Sequence, residues 1–233
     1  MLIAWIQQTS LVDYPDKIAC IVFTPGCNLR CRFCHNPALV LPWLIAATEP
    51  IPNDVFFNFL EQRKWLIDAV VISWWEPTLQ SDLIDFCRTI KEKWFLVKLD
   101  TNGRDPTIVT SLLEQKLIDY IAMDSKIDHA QRLTLLQSKE HIHPYQQTMD
   151  ILIHDNHGCD YEFRTTLMKP YHTRENFVAM LRLIQWAKNY YLQTYRPETT
   201  LDPDFDGVAL TYDEMKEFQT LAQDYVQKCM IRY

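Results

Sequence analysis

Six strand-like segments, each followed by a helix-like segment, run through most of the 233-residue chain. The strand-like segments are short and rich in β-branched or aromatic residues, and they cover residues 18–24, 69–73, 95–102, 119–126, 161–168 and 190–197. The helix-like segments carry apolar residues at helical spacing and cover residues 54–64, 82–93, 105–116, 145–158, 174–189 and 212–227. Such alternation predicts an α/β fold with a parallel sheet and helices outside it.

The alternation alone fits both an open doubly wound sheet and a full or partial barrel. No linker, internal repeat or low-complexity tract interrupts it, so we expect a single domain over residues 1–233. Asp105-Pro106 predicts a helix start and Gly158 a helix end. In both architectures the chemistry collects at the C-terminal ends of the strands. Polar residues that follow strands are therefore the candidates for a functional site.

Charge and hydropathy argue against several classes of protein. The net charge of −7 leaves no basic excess with which to neutralise phosphates, so general nucleic-acid binding is not expected. No apolar run reaches the roughly 18 residues that a membrane helix needs. The N-terminal stretch MLIAWIQQTSLVDYP lacks the charged and apolar regions of a signal peptide. We therefore expect a cytoplasmic protein without a membrane partner.

Three of the seven cysteines lie within eight positions, directly after the first strand-like segment. Cys27, Cys31 and Cys34 form the pattern C-x₃-C-x₂-C, which suits a metal site in a reducing compartment better than a disulfide framework. Structural zinc takes four ligands and iron–sulfur clusters usually take four cysteines, but no fourth cysteine is near. A three-thiolate cluster would leave one iron open to a small-molecule ligand. The alternatives are a zinc site completed by His35, or cysteines that are merely buried.

The motif TPGCNLRCRFCHNP, with Phe33 just before the last cysteine, resembles the signature of the radical S-adenosylmethionine (SAM) enzymes. It is similar to the branch that installs glycyl radicals on partner enzymes, and above all to the anaerobic ribonucleoside-triphosphate reductase activating proteins. Further segments resemble that family in the same order: SLVDYP (10–15), EPT (76–78), KLDTNG (98–103), DYIAMDSK (119–126), YEFRTT (161–166) and LDPDFDGV (201–208). The resemblance covers nearly the full chain and implies a partial (β/α)₆ TIM-like barrel.

The resemblance also implies cofactors and partners. Cys27, Cys31 and Cys34 would ligate three irons of a [4Fe–4S] cluster, and SAM would chelate the fourth. One electron from the cluster would cleave SAM and give a 5′-deoxyadenosyl radical that abstracts hydrogen. The implied partner is a glycyl radical enzyme, anaerobic ribonucleotide reductase being favoured, and the implied electron donor is a protein such as flavodoxin or ferredoxin.

By the same resemblance, residues at the strand ends would contact SAM. Glu76 would meet the ammonium group of SAM, and Asp124 and Lys126 would contact the ribose. The alternative for Asp124 and Lys126 is an ordinary surface ion pair, which contributes little. Arg164, in mid-strand, needs a partner for its charge and could face the barrel interior. The predicted cofactor-binding residues are Phe33, Trp74, Trp75, Glu76, Asp100, Thr101, Asn102, Asp124 and Lys126.

Trp74 and Trp75 stand where that family has a Gly-Gly-Glu turn, which lets the backbone approach SAM. Average composition predicts about 16 glycines in a chain of this length, but this chain has 4 glycines and 7 tryptophans. Trp65 and Trp94 follow helix ends, where glycine is the usual residue. Trp43 follows Pro42 in another expected turn. This pattern suggests that codon UGA encodes glycine in the source organism and that the printed tryptophans are glycines in the living protein.

Asp16 and Lys116 also lie where glycine would be unsurprising, so this hypothesis does not explain every missing glycine. Three rival interpretations stay open at the level of sequence. The first is a barrel with a real Trp-Trp pair that has lost SAM binding. The second is a radical SAM enzyme that acts on a small molecule. The third is a non-catalytic zinc-binding protein on the same barrel.

Overall fold

Six parallel strands lie side by side in chain order in the computed structural model, which describes residues 1–73, 75–126, 128, 131, 135–137, 142–196 and 200–232. They are β2 (Ala19–Phe23), β3 (Ala69–Ser73), β4 (Leu96–Thr101), β5 (Tyr120–Asp124), β6 (Asp160–Lys169) and β7 (Tyr190–Thr194). Each strand pairs with the next in parallel. The parallel sheet predicted from the alternating pattern is therefore confirmed.

A helix follows each of these strands. A short additional helix, α1 (Pro42–Ile45), lies between β2 and the helix that packs after it. The helices are α2 (Asn53–Gln62), α3 (Leu83–Glu92), α4 (Pro106–Glu114), α5 (His143–His154), α6 (Arg174–Leu183) and α7 (Tyr212–Ala222). The Asp105 side chain caps α4 by accepting from Ile108 N at 3.0 Å, as predicted. The predicted end at Gly158 is wrong, because α5 stops at His154 and Gly158 lies in the turn before β6. No described helix has the length and apolar character needed to cross a bilayer.

Three further strands were not predicted from the sequence. β1 (Trp5–Ser10) pairs antiparallel with β2, and β9 (Cys229–Arg232) pairs parallel with β7. β8 (Val208–Ala209) forms a short antiparallel pair with β6. Within the described residues the sheet runs from β1 to β9 and does not close on itself. The architecture is thus the partial (β/α)₆ barrel type.

Alternation along β6 separates the two faces of the sheet, because successive side chains of a strand point to opposite sides. Tyr161 and Phe163 belong to the large apolar core between the sheet and the helices. Glu162 and Arg164 point to the other face, inside the barrel. Deep in that interior, Glu162 accepts a hydrogen bond from Tyr120 Oη at 2.7 Å and ion-pairs with Arg232 of β9 at 2.6 Å. The barrel interior therefore contains charged side chains that are paired with one another, and it is not apolar throughout.

Three tryptophans have the left-handed backbone that favours glycine: Trp75 (φ 49°), Trp94 (φ 71°) and Trp186 (φ 72°). Residues other than glycine rarely adopt a positive φ, because their Cβ atom then clashes with the following carbonyl oxygen. The glycine-like geometry predicted for Trp94 is confirmed, whereas that of Trp186 was not foreseen. Asp16 (φ 58°) and Lys116 (φ 53°) share this geometry, as expected of positions that suit glycine.

Other tryptophans do not follow the prediction. Trp65 is 91% exposed but has no positive φ, so the expected left-handed helix end is wrong there. Trp43 lies inside α1 rather than in a turn, because Pro42 begins a helix at its first position. Trp5 lies on β1 and stacks on Phe23 with ring centroids 5.1 Å apart. Local backbone geometry therefore supports glycine at some of the tryptophan positions only.

Candidate active site

The C-terminal ends of β3 to β7 and the loop after β2 surround one open cavity of about 550 Å³. This volume lies within the range of about 300–1,000 Å³ that is typical of small-molecule sites. Ten of the twelve residues predicted from the sequence line it, namely Cys27, Cys31, Phe33, Cys34, Trp75, Asp100, Thr101, Asn102, Asp124 and Lys126. Trp74 lies outside the described residues, and Glu76 is buried beside the cavity without lining it.

The cysteine loop, residues 24–36, leaves the end of β2 through a turn at Gly26. Gly26 has a φ of 97° and donates its N–H to Leu39 O at 2.9 Å, which aims the following residues across the strand ends. Cys27, Cys31 and Cys34 are all free thiols. Burial raises the pKa of Cys27 to about 11 and that of Cys31 to about 12. A cationic centre such as iron would replace the protons of these thiols when they bind it.

The cysteine arrangement is compatible with an iron–sulfur cluster. No three His, Cys, Asp or Glu side chains among the described residues are placed to hold one metal ion. A single zinc on Cys27, Cys31, Cys34 and His35 would require such convergence. In an iron–sulfur cluster each thiolate binds its own iron, so the sulfur atoms stay apart. Three thiols that line one cavity on one loop meet that requirement.

A largely buried ion network connects β4, β5 and β6. Arg164 donates from Nε to Asp124 Oδ1 at 3.0 Å and from Nη1 to Asp100 Oδ2 at 3.2 Å. Lys126 Nζ donates to Asp124 Oδ2 at 2.7 Å, and Lys98 Nζ to Asp100 Oδ1 at 2.8 Å. The prediction that Arg164 faces the barrel interior and finds a partner there is confirmed.

The network holds both aspartates in the charged state. Burial alone would raise the pKa of Asp100, but Arg164 and Lys98 outweigh it and lower that pKa. Burial acts on Asp124 in the same way, and Arg164 and Lys126 again bring its pKa below the usual value. Burial would lower the pKa of Lys126, yet Asp124 beside it raises that pKa. The cavity therefore presents fixed charges of both signs, which suits a zwitterionic ligand.

Glu76 is fully enclosed at the end of β3. Its carboxylate accepts hydrogen bonds from Thr78 Oγ1 at 2.6 Å, Thr101 Oγ1 at 2.7 Å and the Asn102 backbone N–H at 2.6 Å. Burial raises the pKa of Glu76, and these donors oppose the rise. In this structure the carboxylate joins the ends of β3 and β4. Its contact with an ammonium group of a ligand stays a prediction.

Asn102 connects this junction to the cysteine loop. Its side-chain Nδ2 donates to Asn28 Oδ1, one residue after Cys27, at 2.8 Å. Trp75 precedes Glu76, lines the cavity and has a φ of 49°. A bulky indole at this turn shares the cavity with the three thiols. We propose, as the sequence suggested, that glycine at position 75 would relieve the backbone and enlarge the cavity.

Sequence reasoning did not include several residues that line the cavity. Asp13 follows β1, Thr166 lies in the C-terminal half of β6, and Gln193, Thr194 and Arg196 lie at or just after the end of β7. The signal that could have found Thr166, Gln193, Thr194 and Arg196 is their position toward the C-terminal ends of parallel strands, the same signal that identified Asp124. Ser73, His35 and Asn36 also line the cavity, and Ser73 donates to Asp100 at 2.7 Å.

The fold and the site together define a class of enzyme: a partial (β/α)₆ barrel that carries a three-cysteine cluster loop and a charged cavity at its strand ends. The chain belongs to the radical SAM superfamily, whose family profile matches residues 21–184. The protein is accordingly an enzyme that uses a [4Fe–4S] cluster and SAM. Cys27, Cys31 and Cys34 are the residues that would hold the cluster.

Two curated relatives extend the comparison. The chain is 31% identical over 236 residues to the Methanocaldococcus jannaschii protein named "Putative glycyl-radical enzyme activating enzyme", and the match covers 99% of this chain and 95% of that protein. It is 36% identical over 132 residues to a pyruvate formate-lyase-activating enzyme of Listeria monocytogenes. This second match spans 52% of the chain and 51% of the Listeria enzyme.

Solved structures share the fold at low sequence identity. Streptococcus suis SuiB bound to S-adenosylmethionine superposes with a TM-score of 0.65 at 15% identity, over 91% of this chain and 50% of that one. The anSMEcpe structure with bound AdoMet gives a TM-score of 0.61 at 13% identity, over 88% of this chain and 59% of that one. These likenesses support the radical SAM type of barrel and carry no information on the substrate.

Proposed function

We propose that this enzyme installs a glycyl radical on a partner protein. The observation that carries the proposal is the similarity to the M. jannaschii activating enzyme over 99% of this chain. That similarity includes the cysteine loop, the strand ends and the C-terminal third, so it is not a match to the cluster motif alone. The shorter match to a pyruvate formate-lyase-activating enzyme points to the same chemistry.

SAM bound at the cluster supplies, after one-electron reduction, the group that abstracts a hydrogen atom. The residues of this chain bind and orient it. The three cysteines leave one iron of the cluster without a protein ligand, and we propose that SAM takes that place. Asp124 and Lys126, at the end of β5, carry opposite charges 2.7 Å apart and line the cavity. We propose that they hold the ribose, with Asp100, Thr101 and Asn102 on the methionine side.

The ion network serves this role by fixing the side chains before the ligand arrives. The Asp100 carboxylate is held by Ser73, Lys98 and Arg164, and that of Asp124 by Arg164 and Lys126. Preorganised polar groups cost no reorganisation when charge shifts during a reaction. Phe33 is an apolar wall of the same cavity, next to Cys34. We propose that it shields the adenine or the cluster edge from water.

We propose anaerobic ribonucleotide reductase as the partner and a flavodoxin or ferredoxin as the electron donor. The order of segments from SLVDYP to LDPDFDGV supports this choice of partner. The four remaining cysteines, Cys20, Cys87, Cys159 and Cys229, are dispersed along the chain and form no second cluster motif. We propose that an external protein delivers the electron to the single cluster.

Electron paramagnetic resonance (EPR) tests the proposal. The reconstituted protein is mixed anaerobically with SAM, a reductant and the glycyl radical enzyme encoded beside it, or with ribonucleotide reductase of the same organism. We expect the doublet signal of a glycyl radical, which a Gly→Ala variant of the partner should not give. Cleavage of SAM without a radical on any such partner would favour the small-molecule alternative. Protein that binds zinc in place of iron and sulfide would favour the non-catalytic barrel.

A further inference from the structure

A C-terminal segment, residues 200–206, lies directly against the cysteine loop. Asp202 is the central contact: its backbone N–H donates to Arg32 O at 3.1 Å, and its carboxylate accepts from Arg32 Nε at 2.6 Å. Arg32 lies 170 positions earlier in the chain, between Cys31 and Cys34. The segment therefore hydrogen-bonds to both the main chain and the side chain of Arg32, the residue that directly follows Cys31.

The opposite side of the loop is also held. Arg32 N donates to Leu135 O at 2.9 Å, and Arg30 N donates to Leu136 O at 3.1 Å. Because Arg32 N is fixed on one flank and Arg32 O on the other, the peptide between Cys31 and Phe33 has little freedom. A change on the Asp202 side would release one of the two flanks while leaving the other intact.

Aromatic packing adds a second connection through Phe205. Its ring stacks on Tyr171 at 5.2 Å with an angle of 11° between the planes, and it lies 6.0 Å from the ring of Phe33. The Arg32 guanidinium lies over the same ring at 5.4 Å, and its Nη1 donates to Tyr171 Oη at 3.4 Å. Phe33, in turn, lines the cavity beside Cys34.

The segment is shaped for this packing. Asp202 closes a local turn, since its carbonyl accepts from Phe205 N at 3.1 Å and its carboxylate accepts from Asp204 N at 3.0 Å. Gly207 follows, and a Cβ there would lie 2.2 Å from Phe205 Cε1. Gly207 is one of only 4 glycines in the chain, and a larger residue at this position would displace the Phe205 ring.

We infer that residues 200–206 position the cluster loop, with Asp202 acting through Arg32 on Cys31 and Cys34, and Phe205 acting through Phe33. Asp202 and Phe205 are positioning residues, because neither is a cluster ligand. Partners that orient metal ligands from outside typically change metal affinity or activity by about 10–100-fold when they are lost. The inference rests on the cluster assignment and not on the identity of the partner enzyme.

The test compares reconstituted Asp202→Asn, Asp202→Glu and wild-type proteins without any partner protein. Glu61→Gln is the matched control, because Glu61 forms an ion pair of the same 2.6 Å length with Lys93, far from the loop on α2. Three quantities are measured: the rate at which a chelator removes iron, the EPR spectrum of the reduced cluster with and without SAM, and the dissociation constant of SAM.

For Asp202→Asn we expect about tenfold faster iron loss and about tenfold weaker SAM binding, with an altered EPR spectrum in the presence of SAM. Asp202→Glu should recover much of the loss, and Glu61→Gln should match the wild type. A second variant, Gly207→Ala, should change the same readouts by displacing Phe205, and it keeps the test decisive if Asp202→Asn fails to fold. Wild-type values in both variants, or equal losses in Asp202→Asn and Glu61→Gln, would overturn the inference. Such a failure would leave the glycyl radical proposal untouched, since no partner takes part.

Discussion

Lys98 Nζ lies 2.8 Å from Asp100 Oδ1 on the inner face of β4, and the two side chains are only 3% and 10% exposed. Charges this far from water are costly unless they are paired and hydrogen-bonded. Arg164 and Ser73 complete the pairing by donating to the other carboxylate oxygen, Asp100 Oδ2. The carboxylate that the sequence marked as a cofactor contact is therefore also a structural centre of the barrel interior.

We expect Asp100→Asn to destabilise the protein without its cofactors by about 3 kcal/mol, because the change leaves Lys98 and Arg164 buried with too little negative charge. Denaturant unfolding of the apo-protein measures this. Asp85→Asn is the control, since Asp85 pairs with Arg88 on the surface of α3 and is 78% exposed. That variant should unfold like the wild type. A loss for Asp100→Asn no larger than the control's would contradict the structural role.

The sequence predicts the central strands of the sheet better than it predicts the contacts between side chains in the site. Strands such as Ala69–Ser73 are visible because their apolar composition is local, whereas β8 and β9 exist through pairing with distant strands. Asp124 and Lys126 could be assigned to one cavity because they lie at and just after the end of β5. The burial of Glu76 could not be predicted, because two of its hydrogen-bond donors, Thr101 and Asn102, come from the end of the neighbouring strand.

Each cluster cysteine should be indispensable. Replacing Cys27, Cys31 or Cys34 by Ala opens a second iron to solvent, so we expect loss of the cluster's iron and of SAM cleavage. Cys159→Ala is a suitable control, because Cys159 is buried in the apolar core away from the cysteine loop. Iron and sulfide content and 5′-deoxyadenosine production are the measurements. Full 5′-deoxyadenosine production by Cys31→Ala would disprove the ligand assignment.

Trp94→Gly and Trp65→Gly should change stability in opposite directions. Trp94 has a φ of 71°, and a left-handed conformation costs a residue other than glycine roughly 1–2 kcal/mol. Trp65 is as exposed but has no positive φ, so glycine there only adds about 0.5–1 kcal/mol of unfolded-chain entropy. We expect unfolding free energies of the two variants to differ by about 1 kcal/mol or more, with Trp94→Gly the more stable.

The origin of these tryptophans is a separate question, which the gene answers. We propose that codons 74 and 75 are UGA and are read as glycine in the source organism. In that case, protein with glycine at all seven positions should bind and cleave SAM, and the printed sequence should bind it poorly or not at all. UGG at both codons would end the recoding hypothesis and leave a true Trp-Trp pair beside Glu76.

His172 should make stability depend on pH. The ring is buried: Nδ1 lies 3.1 Å from Met168 N and 3.2 Å from Met168 O, and Nε2 lies 3.0 Å from Lys126 O. Burial lowers its pKa, while its contacts with Lys126 and Met168 oppose that shift. A lowered folded-state pKa gives stability that is present above the unfolded value of about 6.5 and is lost as pH falls toward the folded value.

We therefore expect the apo-protein to lose stability through this group as the pH falls from 7.5 to 5.5. His172→Gln, which removes the titrating ring, should lose less over the same interval. His154→Gln, which changes an exposed histidine of α5, is the control and should keep the wild-type slope. Parallel slopes for His172→Gln and the wild type would show that His172 does not carry the effect.

The most direct test of the central claim follows a hydrogen atom. The candidate partner enzyme is produced with glycine deuterated at Cα and is mixed anaerobically with the reconstituted protein, SAM and a reductant. Mass spectrometry then measures deuterium in the 5′-deoxyadenosine that is formed. The account predicts one deuterium per molecule with the labelled partner, and none with its Gly→Ala variant. Unlabelled 5′-deoxyadenosine in both reactions would contradict it.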